Sequence, residues 1–218
     1  MKTHSFFDFK KTIAAELLKE CEKPWEALPR IKDFILKTGP TLDKAVYEEI
    51  KPSVWVAKSA KISPSAVILA PTIIGEESEI RPSAYIRGGV IVGKNAVVGN
   101  SSEVKNAILF DSVQVPHFNY IGDSILGYKA HFGAGAITSN VKSDKTEITI
   151  SSGGEKKPTG LKKFGAVVGD FVEVGCNAVL CPGTVIGKNT TIYPLSLVRG
   201  AVAENRIFKS FNNIIPKD

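Results

Sequence analysis

An apolar residue recurs at every sixth position over a long part of this chain of 218 residues. A period of six fits neither an α-helix, which repeats every ~3.6 residues, nor a simple alternating strand. It fits short strands joined by corners, and the glycines that often follow the apolar residue supply a corner geometry that other residues adopt at a cost. The unbroken series is Val56, Ile62, Ile68, Ile74, Ile80, Ile86, Val92, Val98, Val104 and Phe110.

Three such strands close a triangular coil of 18 residues, and successive coils stack as parallel strands about 4.8 Å apart. Residues 56–138 are long enough for about 4.6 coils and residues 168–203 for about 2 more. Two five-residue steps, from Phe110 to Val115 and from Ile121 to Leu126, shift the frame between them. The sequence therefore predicts a mainly β chain with a parallel β-helix over residues 51–208.

Three regions lie outside the repeat. Residues 1–50 predict a small helical segment, which we expect to cap the open first coil because the ends of a solenoid need cover. Partner recruitment is the alternative role for that segment. Residues 141–163 break the period and predict a loop insertion, a kind of segment that often carries binding function. Residues 209–218 predict a C-terminal tail.

The composition excludes several classes of protein. With 43% apolar and 23% charged residues, the chain is neither disordered nor collagen-like. No apolar stretch approaches the ~18 residues of a membrane span, and the charged N-terminus does not resemble a signal peptide. The 3 cysteines predict reduced thiols in a cytoplasmic protein. The net charge of +6 is spread over both halves, so we expect no nucleic-acid partner and at most the attraction of a small anion.

Two basic residues recur with the coil period. Arg87 and Lys105 lie 18 residues apart, and each follows an inward apolar residue, so both should lie on one edge in adjacent coils. Two neighbouring cations repel each other unless an anion binds between them. The pair predicts a phosphate site, with two solvated side chains that splay apart as the alternative.

One histidine lies where the register shifts. His117 follows Val115 and precedes Tyr120, so this coil should depart from the regular shape. A histidine can accept a proton near pH 7, as a general base must. A structural role is the alternative. A zinc site would need about three histidine ligands, and only His117 and His131 lie in the repeat, so we expect no metal.

Five segments share their residues and spacing with a known group of enzymes. They are Ala84-Tyr-Ile-Arg87, Val98-Gly-Asn100, Glu103-Val-Lys105, His117-Phe-Asn-Tyr120-Ile-Gly-Asp123 and Phe132-Gly-Ala-Gly-Ala-Ile-Thr-Ser-Asn140. The chain thus resembles the hexapeptide-repeat family of left-handed parallel β-helices. Within it, the chain resembles the acetyltransferase domain of the bacterial bifunctional glucosamine-1-phosphate acetyltransferase/N-acetylglucosamine-1-phosphate uridylyltransferase. The resemblance covers about residues 55–205.

The resemblance implies an N-acetyltransferase that moves acetyl from acetyl-CoA to the amine of an amino sugar phosphate. It implies that Arg87 and Lys105 bind the phosphate, that His117 is the catalytic base and that Tyr120 contacts the sugar. A family asparagine that touches the sugar is replaced here by His131.

The resemblance also implies an acetyl-CoA site and a homotrimer with sites between neighbouring helices. Asn140 matches a residue near the acetyl group, and Ala134 and Cys176 match positions that line the acetyl-CoA site. Cys176 replaces a serine, Val141 replaces an aromatic residue, and the insertion is longer than the family loop. The Leu-x-Ala-Gly-x-Gly-Thr segment of the uridylyltransferase domain is absent, so we expect no UDP-sugar synthesis by this chain itself.

The departures keep two alternatives open. One is an acyltransferase for a different amino sugar or for a nucleotide sugar, which His131 and Val141 favour. The other is a non-catalytic member that binds a sugar phosphate or acts as a scaffold.

Overall fold

In a computed structural model that describes residues 1–152 and 154–217, the repeat folds into a parallel β-helix with three faces. Corresponding strands pair in parallel one coil apart, for example Val54 with Thr72 and Thr72 with Val90. Face 1 consists of β2 (Val54–Ala57), β5 (Thr72–Ile74), β8 (Val90–Val92), the second halves of β10 (Glu103–Leu109) and β12 (Tyr120–Leu126), β17 (Ala166–Val168), β20 (Thr184–Ile186) and β23 (Ala201–Val202).

The other two faces follow in each coil. Face 2 consists of β3 (Lys61–Ile62), β6 (Glu79–Ile80), β9 (Val97–Asn100), β11 (Gln114–His117), β13 (His131–Phe132), β18 (Glu173–Val174), β21 (Thr191–Ile192) and β24 (Arg206–Ser210). Face 3 consists of β4 (Val67–Ile68), β7 (Tyr85–Ile86), the first halves of β10 and β12, β14 (Ile137–Thr138), β19 (Val179–Leu180) and β22 (Leu197–Val198). The predicted β-helix is confirmed.

The predicted register is wrong at Phe110. Leu109, and not Phe110, pairs with Val92. The five-residue step therefore runs from Val104 to Leu109, whereas the sequence predicted it from Phe110 to Val115. The shortening occurs within β10, which runs from face 3 into face 1 as one strand. Phe110 instead packs on Phe7, with ring centroids 4.8 Å apart.

The N-terminal segment lies along face 1, which differs from the predicted cap over the first coil. Gly39 packs on the ring of Trp55 in the first coil, the carbonyl of Leu28 accepts a hydrogen bond from Asn106, and Trp25 stacks on Phe164. The segment contains α1 (Ala15–Lys19), α2 (Ile31–Thr38) and 3-10 turns at Thr3–Ser5, Phe9–Lys11, Pro24–Arg30 and Gly39–Thr41.

The outer surface of face 1 explains this placement. The residue between the two inward positions of each strand points away from the coil axis, and on face 1 it is apolar in coil after coil and buried in the structure. These outward residues are Trp55, Ile73, Ile91, Ile108, Ile125, Val167 and Val185. An apolar stripe of this length needs a cover, which the N-terminal segment provides.

Antiparallel strands close the edges of the sheets. β1 (Tyr47–Lys51) pairs with β2, so the predicted helical segment ends before residue 47. β25 (Asn213–Pro216) pairs with β24, so the predicted tail contains the end of one strand and the whole of another. The insertion forms a hairpin of β15 (Thr149–Ser152) and β16 (Glu155–Pro158). Among the described residues, no helix combines the length and apolar character needed to cross a membrane.

Candidate active site

The predicted site residues lie mostly on the two edges of face 3. We call the corner between face 3 and face 1 the cation edge, because Arg87 and Lys105 lie there. We call the corner between face 2 and face 3 the histidine edge, because His117 lies there. Tyr120 begins the strand that joins the two edges.

On the cation edge, each basic side chain is paired with a carboxylate. Arg87 and Lys105 lie in adjacent coils, since the amide of Arg87 donates to the carbonyl of Val104 at 2.8 Å. Arg87 Nη1 lies 2.7 Å from Oε1 of Glu103, and Lys105 Nζ lies 3.3 Å from Oδ2 of Asp123. The four side chains together carry no net charge, which the sequence analysis did not anticipate.

Asp123 connects three other side chains at this edge. Its side chain is only 5% exposed. Its carboxylate accepts hydrogen bonds from Lys105, from Asn106 at 2.9 Å and from Asn140. The sequence analysis gave neither Asp123 nor Glu103 a role. The coil period could have indicated Asp123, because it aligns residues 122–123 with Lys105 in the same way that it aligns Lys105 with Arg87.

Tyr120 lies between the two edges. Its backbone is in register with Glu103 on one side and Ile137 on the other. Its hydroxyl lies over Gly122, where a Cβ would come within 2.5 Å of Oη. Burial raises the pKa of Tyr120, the negative charges of Asp123 and Glu103 raise it further, and Arg87 and Asn140 oppose them. The phenol is therefore a neutral hydrogen-bonding group at physiological pH.

The histidine edge has a fixed backbone and an exposed imidazole. The amide of His117 donates to Oδ1 of Asn119 at 3.0 Å, and its carbonyl accepts from the amide of Gly135 at 3.0 Å. Asn119 is buried and donates to the carbonyls of Gly133 and Ala136. In residues 1–152 and 154–217 no protein group hydrogen-bonds to the His117 ring, which is exposed to solvent.

Ala134 and Cys176 lie above His117 on the same edge. The carbonyl of Ala134 accepts from the amide of Asn177 at 2.8 Å, so the two positions occupy successive coils. Cys176 is exposed, and its sulfur lies against Gly133. These residues and His117 form one group, whereas Asn140 lies on the cation edge with Lys105.

His131 lies apart from the other predicted site residues. It belongs to face 2, where its Nδ1 lies 2.8 Å from Oε2 of Glu173 in the next coil. A single chain therefore brings together Arg87, Lys105, Tyr120 and Asn140, places His117 with Ala134 and Cys176 on the opposite edge, and leaves His131 on another face.

Comparison with protein families places this site in a known kind of repeat. Residues 68–174 match the family model described as the GMPPB C-terminal domain. Residues 165–200 match the model of the bacterial transferase hexapeptide with six repeats. Residues 165–200 of the β-helix are thus similar to bacterial transferase hexapeptide repeats. The first match includes Arg87 and Lys105 on the cation edge and His117 on the histidine edge, and the second includes Cys176.

Relatives of the β-helix include two proteins whose names call them bifunctional. The bifunctional sugar-1-phosphate nucleotidylyltransferase/acetyltransferase of Sulfurisphaera tokodaii is 34% identical over 107 residues, which are 49% of this chain and 27% of the relative. The bifunctional protein GlmU of Methanococcus vannielii is 37% identical over 117 residues, which are 53% of this chain and 28% of the relative. The chain thus spans about a quarter of the length of these relatives.

Solved structures with a similar shape include UDP-N-acetylglucosamine O-acyltransferase from Moraxella catarrhalis. The alignment covers 76% of this chain and 72% of that one at 16% identity, with a TM-score of 0.42.

Proposed function

We propose that the chain is an N-acetyltransferase that moves acetyl from acetyl-CoA to the amine of a phosphorylated amino sugar such as glucosamine-1-phosphate. The observation that carries the proposal is the arrangement on face 3, where a free imidazole and a pair of cations lie on opposite edges with Tyr120 between them. The relative named as a sugar-1-phosphate nucleotidylyltransferase/acetyltransferase supports acetyl transfer as the reaction.

In the proposed reaction the sugar amine attacks the carbonyl carbon of the thioester. His117 takes the proton that the amine nitrogen loses, the carbon–sulfur bond breaks, and CoA leaves as the thiol after it receives a proton. General-base catalysis contributes about 10²–10⁴-fold to such a step. Arg87 and Lys105 hold the phosphate, Tyr120 contacts the sugar, and Asn140 positions the acetyl group.

The separation of the two edges supports shared sites in a homotrimer. Within one chain, His117 lies on the histidine edge and Lys105 on the cation edge, at the two opposite corners of face 3. A second copy of the chain that packs against face 3 brings one of its own edges close to the opposite edge of the first copy. The outer surface of face 3 is suited to such contact because it exposes Val67, Tyr85 and Leu197.

A different amino sugar, free or linked to a nucleotide, is the second candidate substrate. Glu103 and Asp123 already neutralise both cations, so the site does not depend on a phosphate for charge balance. The acetyl donor and the roles of His117 and Tyr120 remain the same in this alternative.

Release of the CoA thiol, measured with a panel of amino sugars, tests the proposal. We expect turnover with glucosamine-1-phosphate, a loss of about 10²–10⁴-fold in kcat for His117→Ala with little change in melting temperature, and a raised KM for the phosphorylated sugar in Arg87→Ala. Full turnover by His117→Ala contradicts the role of the base, and an unchanged KM in Arg87→Ala contradicts the phosphate site. Turnover only with unphosphorylated or nucleotide-linked sugars favours the second candidate.

Sedimentation tests the assembly. We expect a trimer at micromolar concentration, and a monomer contradicts sites shared between chains.

A further inference from the structure

We infer that Asp123 is a positioning residue of this site, which holds Lys105 and Asn140 in place on the cation edge. The inference rests on the proposed function for its effect on turnover and on the structure alone for its effect on Lys105. Asp123 is not a catalytic residue, because its side chain is almost fully buried and its carboxylate oxygens are occupied by three side-chain donors.

The first step of the argument is the number of groups that depend on this carboxylate. The amine of Lys105 lies 3.3 Å from one oxygen and 3.4 Å from the other. The amide nitrogen of Asn140 donates to Oδ2, and that of Asn106 donates to Oδ1 at 2.9 Å. An ionised acceptor makes stronger hydrogen bonds than a neutral one. One buried charge thus sets the positions of Lys105, which is proposed to bind the phosphate, and of Asn140, which is proposed to position the acetyl group.

The second step is that the backbone of Asp123 is itself fixed. Its carbonyl accepts from the amide of Gly165 at 2.8 Å, across the point where the insertion rejoins the β-helix. The preceding residue, Gly122, donates to Oγ1 of Thr138 at 2.9 Å and accepts from Oγ of Ser124 at 2.7 Å. Because the backbone cannot shift easily, the carboxylate is a fixed reference point for the donors around it.

The third step concerns the backbone conformation. Asp123 has a φ of 47°, in the left-handed region that aspartate and asparagine tolerate better than most residues. Asparagine therefore keeps the conformation and nearly the size of the side chain while it removes the charge. Asp123→Asn is the variant that separates a positioning charge from a residue needed only for folding.

The chain also provides a matched control. Asp170 is buried and accepts hydrogen bonds from the amides of Asp8 and Tyr128, and Lys188 lies 3.2 Å from its Oδ2. It lies on the corner between face 1 and face 2, away from both edges of face 3. Asp170→Asn thus removes an equivalent buried charge beside an equivalent lysine without touching the site.

Turnover and lysine labelling together test the inference. For Asp123→Asn we expect kcat/KM to fall by about 10²-fold, as for the displacement of a positioned group by ~1 Å, while Asp170→Asn stays near the wild type. We expect the losses of kcat/KM in Asp123→Asn and Asn140→Ala not to add in the double variant, because both substitutions disrupt the same contact between Asp123 and Asn140. Wild-type kcat/KM in Asp123→Asn, or additive losses, overturns the inference.

Labelling separates a failure of the inference from a failure of the proposed function. The lysines are labelled with trace acetic anhydride, and the label is measured by mass spectrometry. In Asp123→Asn we expect Lys105 to be labelled faster, with Lys188 as the internal reference. In Asp170→Asn we expect Lys188 to be labelled faster, with Lys105 as the reference. Unchanged labelling of Lys105 overturns the positioning role even if no amino sugar is acetylated. Faster labelling of Lys105 without any turnover supports the positioning role and contradicts only the proposed reaction.

Discussion

Replacement of Ile31 by alanine tests whether the N-terminal segment stabilises the whole β-helix. Ile31 begins α2 and is fully buried. Removing a buried isoleucine side chain to alanine costs about 2–5 kcal/mol. In a chain of this size each kcal/mol lowers the melting temperature by about 2–4 °C, so we expect a fall of roughly 4–20 °C.

The effect should extend to coils that are distant from the first one. The N-terminal segment contacts Trp55 in the first coil, Asn106 further along and Phe164 beyond the insertion. Helices as short as α2 are not stable alone, so the segment should detach as a unit when its packing weakens. We therefore expect faster hydrogen exchange in β12 and β17 as well as in β2.

Leu36 provides the control within the same helix. It is 47% exposed, so Leu36→Ala should change the stability by no more than about 0.5 kcal/mol. The assay is thermal and urea unfolding followed by circular dichroism, with hydrogen exchange by mass spectrometry. Equal melting temperatures for the two variants, or faster exchange confined to β2, refute the conclusion that the segment stabilises all of face 1.

Three further predictions concern the coils and the site. Gly99→Ala should lower the melting temperature, because a Cβ there would lie 1.6 Å from the carbonyl oxygen of Pro116 in the next coil; an unchanged melting temperature contradicts this. Cys176 should react with a thiol reagent in the native protein while the other two thiols, which are buried, react only after denaturation; three fast thiols contradict it. The pKa of the Tyr120 phenol should lie above the ordinary tyrosine value of 10.0, so the stability should fall as the pH rises beyond that value, because the unfolded chain ionises more readily. The difference in ultraviolet titration between the wild type and Tyr120→Phe measures this, and a titration midpoint at or below pH 10.0 contradicts it.

The sequence predicted the β-helix because each strand requires an apolar residue at an inward position, which recurs at about every sixth residue. Ile74, Val92 and their equivalents point into the coil, where a smaller side chain would open a cavity and an unpaired polar group would be costly to bury. The register was wrong at Phe110 because the sixth position also holds a phenylalanine that packs on Phe7. A periodic pattern reports that a side chain is buried, but not on which side of the strand.

The position of the N-terminal segment was predictable in principle. Ile73 and Ile91 lie 18 residues apart at outward positions of face 1, whereas the equivalent outward positions on face 2 include Lys61 and Glu79. An outward stripe that is apolar on one face and charged on another indicates which face is covered. The ion pairs of the cation edge were harder to predict from the sequence, because a spacing of one coil aligns backbones and does not say which side chains meet.

The two ion pairs of the cation edge differ in how readily a phosphate could replace the carboxylate. Arg87 and Glu103 are 41% and 33% exposed, and a pair so open to water contributes little to stability. A phosphate can therefore take the place of Glu103 at low cost. Asp123 is 5% exposed and accepts hydrogen bonds from two asparagines besides Lys105, so its removal would leave three partly buried donors without their acceptor. Under the proposed function, Glu103 is thus the exchangeable partner of the edge and Asp123 its fixed support. The proposed phosphate binds to Arg87 in place of Glu103 and to Lys105 in addition to Asp123.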